Sequence, residues 1–175
     1  MIGSRCRTNR RALARYGYSD YLEANIEQAP ELCRAPYDAI ILLHILEHLD
    51  EPESTMAFLA AQLSDQGMMI GGSPTMPEWL GRRHQHRLRR IYADRMHNIR
   101  LHKHLSVITP PRIHRFARAQ GFEVDFIAGT FFMRASGSPL ENFAAWIRLN
   151  LLWGALFPSL AGEVYFALRR GSGPS

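Results

Sequence analysis

Cysteine is scarce in this chain of 175 residues, which has only Cys6 and Cys33. The two do not have the spacing of a metal-ligand motif. The pattern of a signal peptide is also missing, because Met1 leads directly into a polar, arginine-rich stretch. We therefore expect a reducing, cytoplasmic setting.

Long apolar runs are missing as well. The longest, from Phe143 to Leu160, is interrupted by Arg148, Asn150 and Pro158. It falls short of the roughly 20 uninterrupted apolar residues that a membrane-spanning helix needs. The simplest interpretation is a helix packed against a sheet, and the alternative is an anchor at a membrane interface. The apolar side chains concerned are Trp146, Leu149, Leu152 and Trp153.

Hydrophobic residues make up 46% of the chain, which at this length is enough for one globular core but not for two domains. The net charge of +5 comes mostly from arginines between Arg82 and Arg118. A local basic face can meet phosphate, an acidic lipid surface or nucleic acid, or can simply be solvated. Nucleic acid is the weakest of these interpretations, because only Trp79 and Tyr92 accompany the arginines.

A strand, a helix and a second strand follow one another between residues 37 and 74. The run from Tyr37 to His44 has almost no polar interruption and predicts a strand buried on both faces. Pro52 to Leu63 places its apolar residues on one helical face, and Met68 to Gly71 is a second apolar strand. This order predicts a right-handed crossover unit with parallel strands.

Further elements flank this unit. Thr109-Pro110-Pro111 predicts the start of a helix, and the alternation over residues 122–127 predicts a strand. An apolar helix over residues 140–156 and a strand over 163–168 are expected next. Near the N-terminus, residues 21–25 are interpreted as a brief strand.

Two stretches resemble class I S-adenosylmethionine-dependent methyltransferases of the small-molecule type. The first, from Tyr37 to Pro74, reads YDAIILLHILEHLDEPESTMAFLAAQLSDQGMMIGGSP and is similar to that family's fourth strand, Leu-Glu-His turn and fifth strand. The second, from His104 to Val124, reads HLSVITPPRIHRFARAQGFEV and is similar to its His-x-x-x-x-Thr-Pro segment and the next strand entry.

The resemblance implies an α/β, Rossmann-like fold. Its mostly parallel sheet would have flanking helices and an antiparallel C-terminal strand, and it would be incomplete at the N-terminus. The implied organisation is a partial methyltransferase domain over residues 1–170, with a variable substrate-cover segment at 77–104 and a disordered tail at 171–175.

The family binds its cofactor with a first strand and a Gly-x-Gly loop, because only glycine lets backbone amides approach the methionine carboxylate closely. No such loop follows a strand here, so we expect a domain truncated before the glycine-rich motif. Ser4-Arg5 and Asn25 stand where the family has acidic residues for the ribose and the adenine. The resemblance implies cofactor contacts at Ser4, Asn25, Ile26, Leu43 and His44.

His48 follows the first predicted strand, at the edge where open α/β sheets bind ligands. Imidazole titrates near neutral pH, so His48 is a candidate catalytic base, or else a local packing residue. Arg82, Arg83 and His104 fall in the substrate-cover segment and are candidate substrate contacts, or part of a solvated face. No metal site is predicted, because the histidines of that segment have no companions at a known ligand spacing. They are His84, His86, His97, His102 and His104.

The predicted function is S-adenosylmethionine-dependent methyl transfer to a small-molecule or a lipid- or glycan-linked acceptor, with peripheral membrane contact as a further expectation. Methyl transfer is an in-line displacement, so holding the two reactants close and aligned provides much of the catalysis. The alternative is a non-catalytic, methyltransferase-like remnant that binds a partner or an anionic surface through its arginine-rich segment.

Overall fold

The computed structural model describes Arg15, Gly17 and residues 24–28, 35–93, 104–131 and 139–171. The strands are β1 (Tyr37–Leu43), β2 (Leu63–Pro74), β3 (Phe122–Thr130) and β4 (Glu163–Arg170). The helices within the described residues are α1 (Pro52–Ala60), α2 (Glu78–Ala93), α3 (Pro110–Ala119) and α4 (Ala144–Leu156). Short 3-10 turns lie at Ile26–Gln28, Leu46–His48, Pro139–Asn142 and Pro158–Leu160.

The four described strands form one sheet in the order β1-β2-β4-β3. β1 and β2 pair in parallel, while β4 pairs antiparallel with both β2 and β3. Three of the four strands therefore run in the same direction, which confirms the predicted α/β, Rossmann-like class with an antiparallel C-terminal strand. As a result, the carboxyl ends of β1, β2 and β3 lie at the same edge of the sheet.

Helix α3 begins where its sequence predicts. Thr109 is the N-cap, and its side chain accepts a hydrogen bond from the Arg112 amide at 3.4 Å. Pro110 occupies the first turn, where a missing amide hydrogen costs nothing. Ile113 and Phe116 are buried on the inner side of this helix, as their helical spacing requires.

The core joins α1 and α3 to the sheet, and β4 supplies its centre. Val164, Phe166 and Leu168 occupy alternate positions of that strand and are fully buried. Met69 of β2 and Leu46, in the turn after β1, are fully buried as well. Each such side chain contributes about 1.5–3 kcal/mol when it leaves water, so the antiparallel strand is an important part of the described core.

The environment of β1 differs from the prediction. Leu42 is buried, but Ile41 and Leu43 on the opposite face are 59% and 49% exposed. A strand buried on both faces is therefore wrong for the described residues. The reason is that β1 is an edge strand of the described sheet and has cover from the core on one face only.

Two boundaries also differ from their predictions. Leu63 begins β2 and does not end the preceding helix. Ala24 and Asn25 precede a 3-10 turn and are not in a strand, while residues 21–23 of that predicted strand lie outside the described part of the chain.

Helix α4 meets the sheet through its smallest residue. A Cβ atom at Gly154 would lie 2.3 Å from the carbonyl oxygen of Gly129 in β3, so the two backbones are in direct contact. Leu149 and Leu152 consequently point away from the sheet and are 56% and 58% exposed. Helix α4 thus packs against the sheet as predicted, but the prediction that Leu149 and Leu152 are buried there is wrong, because a contact this close leaves no space for large side chains.

Apolar exposure continues along the whole helix and its flanks. Trp146 and Trp153 are half-buried. We call the exposed large apolar residues of this region the α4 face: Leu140, Phe143, Ile147, Leu149, Leu151, Leu152, Leu156, Phe157 and Leu160. Among the described helices, none has both the length and the apolar character needed to cross a bilayer.

Replacing Gly154 by alanine tests the contact between the backbones. Helix propensity favours alanine by about 1 kcal/mol, but the added methyl group would collide with Gly129, and such overpacking costs about 1–3 kcal/mol. We expect a lower urea midpoint, measured by circular dichroism. In the control, Ala155→Gly on the exposed side of α4 loses only its helix propensity. A higher midpoint for Gly154→Ala would contradict the packing described.

Candidate functional site at the carboxyl edge of the sheet

The chain turns sharply after β1. His44 has a φ of +52°, in the left-handed region that residues other than glycine rarely adopt. Its amide donates a hydrogen bond to the Gly72 carbonyl oxygen of β2 at 2.8 Å. This turn leaves the His44 side chain at the surface while Leu46, two residues later, enters the core.

Glu47 is the buried polar residue of this turn, with 2% of its surface exposed. Its Oε2 accepts a hydrogen bond from Ser73 Oγ at 2.9 Å. Its Oε1 lies 3.4 Å from His44 Nδ1 and 4.0 Å from His48 Nε2. A buried carboxylate needs polar partners, so these contacts gather two histidines and a serine around one anion.

The backbone of Glu47 also binds the segment that precedes α3, residues 104–106. Its carbonyl oxygen accepts hydrogen bonds from the amides of Leu105 at 2.7 Å and Ser106 at 3.0 Å. His104 therefore lies beside His48, with ring centroids 5.2 Å apart and ring planes at 72°. One ligand-type atom from each of Glu47, His48 and His104 lies within 4.8 Å of the other two.

Helix α2 lies across the same segment. Gln85 donates to the Leu105 carbonyl oxygen at 3.0 Å and accepts from the Val107 amide at 2.8 Å. A cleft of about 550 Å³ opens between α2 and α3. Its charged lining residues are Glu53, Glu78, Arg82, Arg89, Arg112 and Arg115.

Two carboxylates hold three of the four arginines of this cleft. Glu53 pairs with Arg112, with Arg112 Nη2 at 2.6 Å from Glu53 Oε2. Burial raises the pKa of Glu53, but the hydrogen bond and charge of Arg112 outweigh it and leave the pKa below its ordinary value. Burial also raises the pKa of Glu78, whereas hydrogen bonds from Thr109, Arg82 and Arg115 bring the pKa below its ordinary value.

The structure brings three of the predicted site residues together. His44, His48 and His104 surround Glu47, and Leu43 lies half exposed at the same edge. Glu47 was not among the predicted site residues. The available signal was an acidic residue that follows an apolar strand by only a few positions.

The predicted substrate contacts do not form one site. Arg82 Nε donates to Glu78 Oε1 at 3.1 Å beside the cleft. Arg83 lies on another surface of α2, with Leu80 and Ile91. A joint role of the two arginines and His104 therefore has no support in the geometry, and each contact stays a prediction.

The structure describes Asn25 and Ile26, two of the three predicted cofactor residues near the N-terminus. Asn25 Oδ1 accepts a hydrogen bond from the Glu27 amide at 3.1 Å, and Ile26 packs against the core. Glu27 Oε1 accepts from the Asp50 amide at 2.8 Å, which joins this segment to the region after β1. Ser4 lies outside the described residues, and all these roles stay predictions.

Gly71 and Gly72 belong to the sheet. A Cβ atom at Gly71 would lie 2.1 Å from Phe166 Cζ, and one at Gly72 would lie 2.7 Å from Tyr165 Cδ1. These glycines make room for aromatic rings of β4 and do not form a phosphate- or carboxylate-binding loop. Within the described part of the chain, Gly71 and Gly72 therefore offer no site for the methionine carboxylate of the cofactor, and an adenine contact at Leu43 stays a prediction.

The parallel strands define a Rossmann-like fold. The polar cluster lies at the carboxyl ends of these strands, which is the edge where such sheets bind ligands. A family model described as a methyltransferase domain matches residues 7–125, more than half of the chain. The chain therefore belongs to this methyltransferase-domain family. This confirms the resemblance and agrees with S-adenosylmethionine as the cofactor. Among curated proteins, no sequence gives a significant match.

Solved structures share the fold at low sequence identity. A protein from Galdieria sulphuraria, proposed to be a sarcosine dimethylglycine methyltransferase, is 14% identical and superposes with a TM-score of 0.56. The alignment covers 92% of this chain and 64% of the Galdieria chain. A protein from Thermotoga maritima, described as an S-adenosylmethionine-dependent methyltransferase, is 15% identical and superposes with a TM-score of 0.55. The alignment covers 91% of this chain and 68% of the Thermotoga chain. The chain thus spans about two thirds of their length.

Glu53→Gln tests the ion pair at the cleft. The lowered pKa means that the Glu53 carboxylate stabilises the fold at pH values above its ordinary, unfolded pKa. This contribution is lost as the pH falls through the lower folded pKa. We expect the variant to lose about 1 kcal/mol at neutral pH, a small value because Glu53 is partly exposed. Urea midpoints of the two proteins should converge in acid, and a constant difference would contradict this assignment.

Proposed function

We propose that this domain transfers a methyl group from S-adenosylmethionine to a small-molecule or a lipid- or glycan-linked acceptor. The observation that carries the proposal is the cluster of Glu47, His48 and His104 at the carboxyl edge of a methyltransferase-domain fold. Half-exposed Leu43 lies at the end of the strand directly before this cluster. The donor and the acceptor would therefore meet at one edge of the sheet.

S-adenosylmethionine supplies the activated methyl group when it is bound. The Leu43 side chain offers apolar contact to the adenine, and the chain holds the acceptor in line with the methyl carbon, which lowers the entropic part of the barrier. Nε2 of His48 is the proposed acceptor of the proton that leaves the substrate oxygen or nitrogen. Glu47 Oε1 lies 4.0 Å from that nitrogen.

The acceptor class is proposed from the charges around the cleft. Arg82 and Arg89 line the cleft between α2 and α3 and favour an acceptor with an anionic group, such as a phosphate. Cytoplasmic localisation and the substrate-cover role of residues 77–104 stay predictions.

Calorimetric titration with S-adenosylhomocysteine, the product form of the cofactor, tests the donor site. We expect saturable binding to the folded chain, and we expect Leu43→Asp to weaken it about tenfold or more, because a charge replaces an apolar contact. Leu160→Asp is the matched control, since Leu160 is similarly exposed, at 45%, in the turn after α4.

The outcomes separate the two candidate functions. Binding that Leu43→Asp weakens and Leu160→Asp does not would support the donor site. A folded chain that binds no S-adenosylhomocysteine would favour the alternative, a non-catalytic remnant that binds a partner or an anionic surface.

A specific observation favours contact with a membrane surface. The α4 face exposes nine large apolar side chains, and Arg148 of the same helix is exposed among them. An apolar helix with a nearby cation is suited to the boundary between headgroups and acyl chains of an anionic bilayer. The chain's net charge of +5 adds attraction to such a surface. We therefore favour a lipid-linked acceptor.

Vesicle sedimentation tests this contact. We expect the chain to bind vesicles of phosphatidylserine and phosphatidylcholine more strongly than phosphatidylcholine alone. The double variant Leu149→Ser/Leu152→Ser should reduce the bound fraction at least about tenfold, because two exposed leucines no longer enter the lipid. Ile41→Ser, an exposed residue of β1, is the control. Equal binding by the wild type and the double variant would reject the α4 face as the contact.

A further inference from the structure

We propose that Glu47, His48 and His104 form a binding site for a divalent first-row transition-metal ion. The three residues offer one carboxylate oxygen and two imidazole nitrogens, which is a donor set that suits Zn²⁺, Mn²⁺, Fe²⁺ or Co²⁺. No sequence motif indicates this site, because His104 lies far along the chain from Glu47 and His48. The site is created by the hydrogen bonds that the Glu47 carbonyl oxygen makes to Leu105 and Ser106.

The distances are close to those of a metal site. Two ligand atoms bound to one tetrahedral zinc ion are about 3.4 Å apart, since each lies about 2.1 Å from the metal. Glu47 Oε1 and His48 Nε2 are 4.0 Å apart, and ligand atoms of all three residues lie within 4.8 Å of one another. Both histidine side chains have solvent access, so rotation about their side-chain bonds can adjust these distances when an ion binds.

The surroundings of Glu47 are those of a fixed ligand. It is 2% exposed, and its second oxygen, Oε2, accepts the hydrogen bond from Ser73 Oγ at 2.9 Å. Carboxylates that bind metals are held by such outer hydrogen bonds, which keep the other oxygen oriented toward the ion. The Ser73 contact thus leaves Oε1 directed toward the histidines.

The site would keep an open coordination position. His104 is exposed and His48 is partly exposed, so the ion would face solvent at the carboxyl edge of the sheet. Three protein ligands with an open position are typical of metal ions that bind a substrate oxygen. His44 Nδ1, 3.4 Å from Glu47 Oε1, borders this position.

The metal site rests on its ligand geometry alone. Only its use, which is to hold an acceptor oxygen and lower the pKa of that oxygen, rests on the proposed function. With the ion bound, His48 is a ligand, and the proton that leaves the acceptor oxygen passes to solvent at the open position instead of to His48 Nε2. Zinc binding is measured without any methyl donor, so loss of S-adenosylhomocysteine binding and loss of zinc binding are separate results.

Calorimetric titration of the chelator-treated full chain with ZnCl₂ tests the site. We expect one ion per chain, and a characteristic visible spectrum when Co²⁺ replaces zinc. His48→Gln and His104→Gln should each weaken zinc binding by more than about tenfold. Ser73→Ala, which removes an outer hydrogen bond, should weaken it about tenfold. His114→Gln, at an exposed position of α3 outside the cluster, should leave it unchanged.

Two results would overturn the proposal. One is a folded wild-type chain with no saturable zinc binding. The other is zinc binding that His48→Gln and His104→Gln leave unchanged, which would place the ion elsewhere. Circular dichroism of each variant separates lost ligands from lost folding. Because both glutamine substitutions are at positions with solvent access, we expect the fold to survive them.

Discussion

A carboxylate buried at the end of a strand must be surrounded by polar partners, and the candidate site follows from how Glu47 meets that requirement. Its side chain is held by Ser73 of β2 and lies beside His44 and His48. Its carbonyl oxygen accepts two amide hydrogen bonds from the segment that carries His104. One residue thereby links the turn after β1, the second strand and the segment before α3.

The antiparallel strand β4 imposes a second constraint, on packing. Its aromatic rings lie over Gly71 and Gly72, and it gives the core three fully buried side chains, Val164, Phe166 and Leu168. On the other side of β3, the contact between Gly154 and Gly129 fixes α4 so closely that its large residues face outward. The same close packing that completes the sheet therefore creates the exposed α4 face.

Much of the fold could be predicted because its signals are local. The apolar run at Tyr37, the Thr109 cap and the prolines after it specify β1 and α3 within a few residues. The direction of the strands followed from the crossover rule and the resemblance. The burial of β1 and the orientation of α4 could not be predicted, because both depend on what lies across the sheet, and the α4 sequence is apolar on every side.

Short patterns along the chain were enough to predict the class of fold, the family and the histidines after the first strand. That His104 joins His48 around Glu47, and that Arg82 and Arg83 lie on different surfaces, became known from the folded chain alone. These neighbours in space are set by hydrogen bonds between segments that are distant in sequence. A backbone carbonyl such as that of Glu47 can hold any segment that offers two amide hydrogens, so no residue type in the sequence marks its partner.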